Sequence, residues 1–135
     1  MQLQENEHIE LKKSAAELKD ALKSISAMLN KHKKGTIYFN VNSGGVPVKN
    51  DVSDKTLRKI SQIISDKIEP RIYPHISIEK IKLIDVIKIQ FEGAQMPYSA
   101  EGRYYIRVAD EDRQMSQAQL KQFILKNKDL RWDSL

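Results

Sequence analysis

The segment Arg103-Tyr104-Tyr105-Ile106-Arg107-Val108 holds the most chemically suggestive spacing in the chain. Two guanidinium groups stand two residues either side of an aromatic ring, Arg103 and Arg107 about Tyr105. Guanidinium groups bind phosphate in a bidentate fork, and aromatic rings stack on bases, so these three on one rigid face would suit nucleic acid. Alternation with period 2 is the mark of a half-buried strand, whose other face, Tyr104, Ile106 and Val108, is expected in the core. An ordinary exposed strand has the same pattern, and Tyr105 reads either as an exposed sheet residue or as a stacking platform.

Further cations that could neutralise phosphates are Lys12, Lys31, Lys33 and Lys34, the last three inside the run Lys31-His32-Lys33-Lys34. Each such run taken alone also describes a solvated face. Glu10 and Lys12 share one strand face, either as a surface ion pair or as a remnant acidic site beside a phosphate-binding lysine. His8, His32 and His75 show no ligand spacing, so they read as surface histidines and no metal site is expected. The chain has no cysteine, which excludes disulfides, thiolate nucleophiles and thiolate metal sites. It has no GxxxxGK[ST] to cradle a nucleoside triphosphate and no Ser-His-Asp arrangement.

At 135 residues, 40% hydrophobic and 30% charged, the chain reads as one soluble globular domain. Lys and Arg number 23 against 18 Asp and Glu, a formal charge of +5 that favours polyanionic partners. No apolar run reaches the length of a membrane span, and the acidic start has neither the basic nor the apolar region of a signal peptide.

The elements that must position these residues follow from periodicity. Residues 7–12 alternate as a first strand. Ser14 and Glu17 form a capping box for a helix over 14–30, with Ala15, Leu18, Leu22, Ile25 and Leu29 as one apolar stripe. Gly35 breaks the pattern before a strand over 36–42. Ser43-Gly44-Gly45 then supplies a tight turn. Val46-Pro47-Val48 returns as an edge strand, which could pair with a second copy into a homodimer. Asp51 or Ser53 caps a helix over 54–67. Strands follow at 75–82 and 86–91 with Asp85 in the turn, then the arginine strand, then a helix from Ser116 burying Leu120, Phe123 and Ile124. The tail from Lys126 is polar apart from Trp132. The expected fold class is α+β: a single compact domain, one mixed sheet of five or six strands, and three helices.

Several segments in order carry a likeness: Glu5 with Glu10-Leu11-Lys12; Ala27-Met28-Leu29-Asn30; Gly35-Thr36-Ile37-Tyr38-Phe39-Asn40-Val41-Asn42; Pro97-Tyr98; Tyr104-Tyr105-Ile106-Arg107-Val108-Ala109; and the helix 116–124. This set resembles the Schlafen/AlbA-like DNA-binding domain, with the bacterial branch nearest. The resemblance implies a cytoplasmic nucleic-acid-binding module at the N-terminus of a bacterial transcriptional regulator or RecG-related helicase-like protein. Residues 1–125 would be that domain. Residues 126–135 would be a tail or linker to a C-terminal region, in relatives an ATPase-like, ATP-binding or winged-helix part.

Schlafen relatives that cleave RNA use three carboxylates. By resemblance two fall on Glu5 and Glu10 and the third near Asn42, at the end of the Tyr38–Asn42 strand, where an amide replaces the acid. Two carboxylates and a neutral carbonyl hold Mg²⁺ or Mn²⁺ more weakly than three carboxylates. The domain alone is therefore expected to bind rather than cleave, without a cofactor. Asn40 and Ala109 depart from the pattern where relatives usually carry glycine, and Lys33-Lys34 stand near one of the family's paired glycines.

Overall fold

A computed structural model of the chain describes the backbone of residues 3–133 and the side chains of residues 3–127. Strand β1 (Ile9–Lys12) leads to Ser14, whose Oγ accepts from the Ala16 amide, while the Glu17 carboxylate accepts from the Lys13 amide. This cap opens a short 3-10 turn, Ala15–Glu17, and helix α1 (Leu18–His32) starts behind it. Strand β2 (Lys34–Phe39) lies parallel to β1, with Ile9 opposite Thr36. A parallel pair needs a crossover, and α1 is that crossover. Then come α2 (Asp54–Lys67), β3 (Ile68–Glu69), β4 (His75–Ile81), β5 (Ile84–Glu92), β6 (Ser99–Ala100), β7 (Arg103–Val108), β8 (Glu111–Gln114) and α3 (Gln117–Asp133).

The α+β class and the three helices match the sequence expectation. The strands form two four-stranded sheets, β1-β2-β5-β4 and β3-β6-β7-β8, rather than one of five or six. The extra strands are invisible to periodicity. β3 and β6 are two residues each, and β8 is Glu-Asp-Arg-Gln with no apolar face.

Helix α1 packs against β2 of one sheet and β6, β7 and β8 of the other. It is therefore covered on more than one side, and Ser24, Ser26 and Asn30 are buried alongside the expected stripe. A helix in this position must place its polar groups on partners. The Asn30 amide does so fully: Nδ2 donates to Tyr98 O (2.9 Å) and Tyr105 O (2.8 Å), and Oδ1 accepts from the Tyr98 amide (2.7 Å). Ser26 Oγ donates to Tyr98 O and accepts from the Tyr105 amide. Two helix side chains thus clip the backbones of β7 and the residue before β6. Leu22, Ile25, Met28 and Leu29 of α1, Ile37 and Phe39 of β2, Ile87 and Ile89 of β5, and Ile60 and Ile64 of α2 make the main core.

Several local expectations need correction. The strand over 36–42 stops at Phe39 because Asn40 turns to φ 70°. Val46–Val48 is no sheet strand. Its backbone is taken up in a hook, with the Asn42 amide donating to Val46 O and the Val48 amide to Asn40 O. The turn between β4 and β5 falls on Lys82 and Leu83, at φ 50° and 68°, so Asp85 lies inside β5. The Ser116–Gln119 capping box forms at 2.9 and 3.2 Å, but α3 continues to Asp133 through the region expected as tail. Leu120 and Phe123 are half-buried and Ile124 is exposed. The side chain of Trp132 lies outside the described residues. Gly35 is no breaker: it sits within β2, where a Cβ would lie 2.8 Å from Phe91 Cζ and collide with Met28 Sδ.

Candidate nucleic-acid interface

The arginine strand forms where expected, but its faces are exchanged. Tyr105 and Arg107 are buried, Arg107 with 0% exposure, while Val108 is 39% exposed and Tyr104 and Ile106 are half-buried. Tyr105 joins the core and offers no open ring face for stacking. The inward face accepts a guanidinium because it meets fixed anions. Arg107 Nη1 donates to Glu10 Oε1 (2.8 Å) and Asp112 Oδ1 (2.6 Å). Its Nη2 donates to Asn6 O (2.7 Å) and Ile9 O (3.1 Å). Burial works against the charge, but the bonds to Asp112 and Glu10 outweigh it and hold Arg107 even more firmly protonated than usual. Arg107 therefore anchors the turn in front of β1 and is not available to a phosphate.

Lys12 belongs to the same network. Its Nζ lies 3.4 Å from Glu10 Oε2 and 3.2 Å from Asp20 Oδ2, with only 11% of its side chain exposed. The Glu10–Lys12 contact is thus a buried pair rather than a surface one. Burial of Lys12 is outweighed by Glu10 and Asp20, so its pKa rises. Ser24 Oγ closes the other end on Asp112 Oδ2 at 2.5 Å. Asp112 had no signal in the sequence; it lies on β8, which periodicity does not reveal.

The Glu5, Glu10 and Asn42 side chains are each engaged by protein groups in this arrangement. Burial first, then the charge and hydrogen bond of Glu10, push the Glu5 carboxyl up to about 7. Both Glu10 oxygens face cations. Asn42 Oδ1 accepts from the Gly44 and Val46 amides at 2.9 and 3.0 Å, so its two lone pairs are used in its own turn. Glu5 Oε1 also accepts from the Leu11 amide at 3.3 Å, and Glu5 lines a shallow groove with Gln4, Ser43, Gly44 and Asp110.

Two groups of exposed cations include residues singled out in the sequence, while Arg58 and Lys59 are exposed separately on α2. Arg103 meets Lys19 and Lys23 of α1 in a cleft of about 380 Å³, also lined by Leu22, Ala100, Glu101 and Tyr105. Among the described residues, Lys19 and Arg103 have no ion pair, and Lys23 reaches Asp20 only at 3.6 Å. Lys19 and Lys23 were legible as an i, i+4 pair on the exposed side of α1. Lys31, Lys33 and Lys34 gather at the other end of α1, exposed and likewise without ion pairs among the described residues. Lys34 lines a groove of about 670 Å³ with His8, Thr36, Tyr73, His75 and Gln90. Tyr73 is 82% exposed there.

The histidines also depart from the sequence reading. His75, in β4, lines the same groove as His8 but is not in the cluster of Glu7, His8 and His32, whose ligand atoms all lie within 4.8 Å of one another. The rings of His8 and His32 have centroids 4.2 Å apart, tilted by 48°. Burial, then the neighbouring His8, keep the His32 imidazole below its usual pKa.

The model of the Schlafen, AlbA_2 family matches residues 5–116. Among solved structures, the fold is similar to the DIP2311 protein from Corynebacterium diphtheriae, with TM-score 0.68 and 13% identity. That match covers 87% of this chain but only 23% of that protein. It is also similar to the N-terminal domain of an ATP-dependent DNA helicase RecG-related protein from Nitrosomonas europaea, with TM-score 0.57 and 19% identity. There it covers 80% of this chain and 82% of that domain. No curated protein sequence matches the chain. Among the described residues, no helix is long and apolar enough to cross a membrane. The family match takes in every quoted segment from Glu5 through Ala109, and on that ground the chain belongs to the Schlafen, AlbA_2 family.

Proposed function

We propose that this domain binds nucleic acid through phosphates, with the Lys19–Lys23–Arg103 cleft as the main contact and Lys31, Lys33 and Lys34 as a second cluster. The observation that carries this reading is the convergence of cations from α1 and β7 on one cleft whose cations are largely unpaired. Family membership and the helicase-related name of one structural neighbour point the same way. Recognition is electrostatic and weakly sequence-specific, because lysines and an arginine at a cleft mouth hold phosphates but read no base edge. The chain spans under a quarter of the DIP2311 protein, which accords with a module working inside a longer regulator or helicase-like protein.

Fluorescence anisotropy with labelled single-stranded and duplex oligonucleotides of about 20 nucleotides tests this directly. Binding at low salt should weaken with a slope of about −0.9 in log K against log salt for each phosphate neutralised on duplex DNA, or about −0.7 on single strands. Lys19→Ala and Arg103→Ala should each lower the slope by about one contact. Lys80→Ala should not, since its amine already bonds Asp85 at 2.9 Å. No binding to any strand at low salt would overturn the reading.

A further inference from the structure

We propose that Glu7, His8 and His32 form a three-ligand site for a divalent transition ion of the Zn²⁺ type, with its remaining coordination position open to solvent. The first support is composition. Two imidazoles and one carboxylate are the donor set of open, three-ligand zinc centres, whereas Mg²⁺ and Ca²⁺ select oxygen donors. The second is spacing. Ligand atoms bound to one tetrahedral zinc at about 2.0–2.1 Å lie about 3.3 Å apart. Here His32 Nε2 and Glu7 Oε1 are 3.7 Å apart, and no two of the three ligand atoms exceed 4.8 Å, so shifts of about an ångström or less close the site.

The third support is an orphan atom. His32 Nε2 is buried and has no hydrogen-bond partner, which is uncommon for a buried polar atom and natural for one waiting for a ligand. The frame is rigid as well. His32 ends α1, and the Thr36 amide of β2 donates to His8 O. Arg107 bonds Asn6 O and Ile9 O on either side of Glu7 and His8. The ion would clip the turn before β1 to the end of α1. Its open position would face a site bordered by exposed His8 and Glu7, where an anionic oxygen or water can enter.

This site is separate from the Glu5–Glu10 pair and uses neither residue. Its test is direct titration of the chain with Zn²⁺ by calorimetry, with Co²⁺ as a spectroscopic stand-in. One ion per chain should bind, and Co²⁺ should give the intense visible absorption of low coordination number with nitrogen ligands. His32→Ala and His8→Ala should each weaken binding at least about tenfold, and His75→Ala should leave it unchanged. Because His8 is exposed, His8→Ala should keep the metal-free melting temperature, so lost binding reads as a lost ligand rather than a lost fold. Undiminished binding in His8→Ala and in His32→Ala, equal loss in His75→Ala, or no stoichiometric binding would each overturn the proposal.

Discussion

At the scale of single residues, Arg107 does the opposite of what its sequence setting suggests. It stands in a strand that reads as an arginine face, yet it meets Glu10, 97 residues away in sequence, and Asp112. Breaking a buried pair leaves uncompensated charge behind. Arg107→Ala is therefore expected to destabilise the domain by about 3–5 kcal/mol, seen as a lower midpoint in urea unfolding. Arg107→Lys should rescue little, because an ammonium cannot reproduce a fork that reaches two carboxylates and two carbonyls. Glu5 gives a pH signature. Its carboxyl titrates near 7 when folded and near the ordinary 4.5 when unfolded, so the folded state holds the extra proton between these values. The contribution of Glu5 to stability is fully present below about pH 4.5 and is lost as pH rises through about 7. Glu5→Gln, measured in chelator, should flatten that slope. The glycine departures are explained by backbone angles: Lys33, Asn40 and Ala109 have φ of 66°, 70° and 56°. Alanine in that region costs about 1–2 kcal/mol. Ala109→Gly should accordingly raise stability by about 1 kcal/mol in the same unfolding experiment, less the backbone freedom that glycine adds to the unfolded chain.

At the scale of elements, local chemistry was legible and partnering was not. The caps at Ser14, Ser53 and Ser116, the helix over 54–67 and the strand over 103–108 could be read because each is set by residues within a few positions. Which face of β7 turns inward could not. Tyr104-Ile106-Val108 is the more apolar set, and only the anions on β1 and β8 make the other set the buried one. The same holds for α1, whose Ser26 and Asn30 look like surface residues until the second sheet is in place. Asn30→Ala removes the partner of the Tyr98 amide and one donor from each of the Tyr98 and Tyr105 carbonyls, with Tyr98 O keeping Ser26 Oγ. A loss of about 1–3 kcal/mol is expected, with protection from hydrogen exchange falling first at Tyr98 and Tyr105.

At the scale of the whole molecule, a formal charge of +5 is distributed rather than concentrated. Part is spent on internal networks, as Lys12 and Arg107 show, and part is placed at the two ends of α1. Of the cations singled out in the sequence, Arg103 lines the cleft, Lys31, Lys33 and Lys34 form the other cluster, and Lys12 and Arg107 are structural. Charge counts alone could not make that division, because it depends on where the acids lie. Phosphate docking is proposed where α1 and β7 bring Lys19, Lys23 and Arg103 together. Amide chemical-shift mapping of the isotope-labelled domain, titrated with an unlabelled oligonucleotide at low salt, tests it most directly. Saturable shifts are expected at Lys19, Lys23, Arg103 and their neighbours, with weaker ones at Lys31–Lys34. Shifts confined to the β4–β5 hairpin, or none at all, would contradict it.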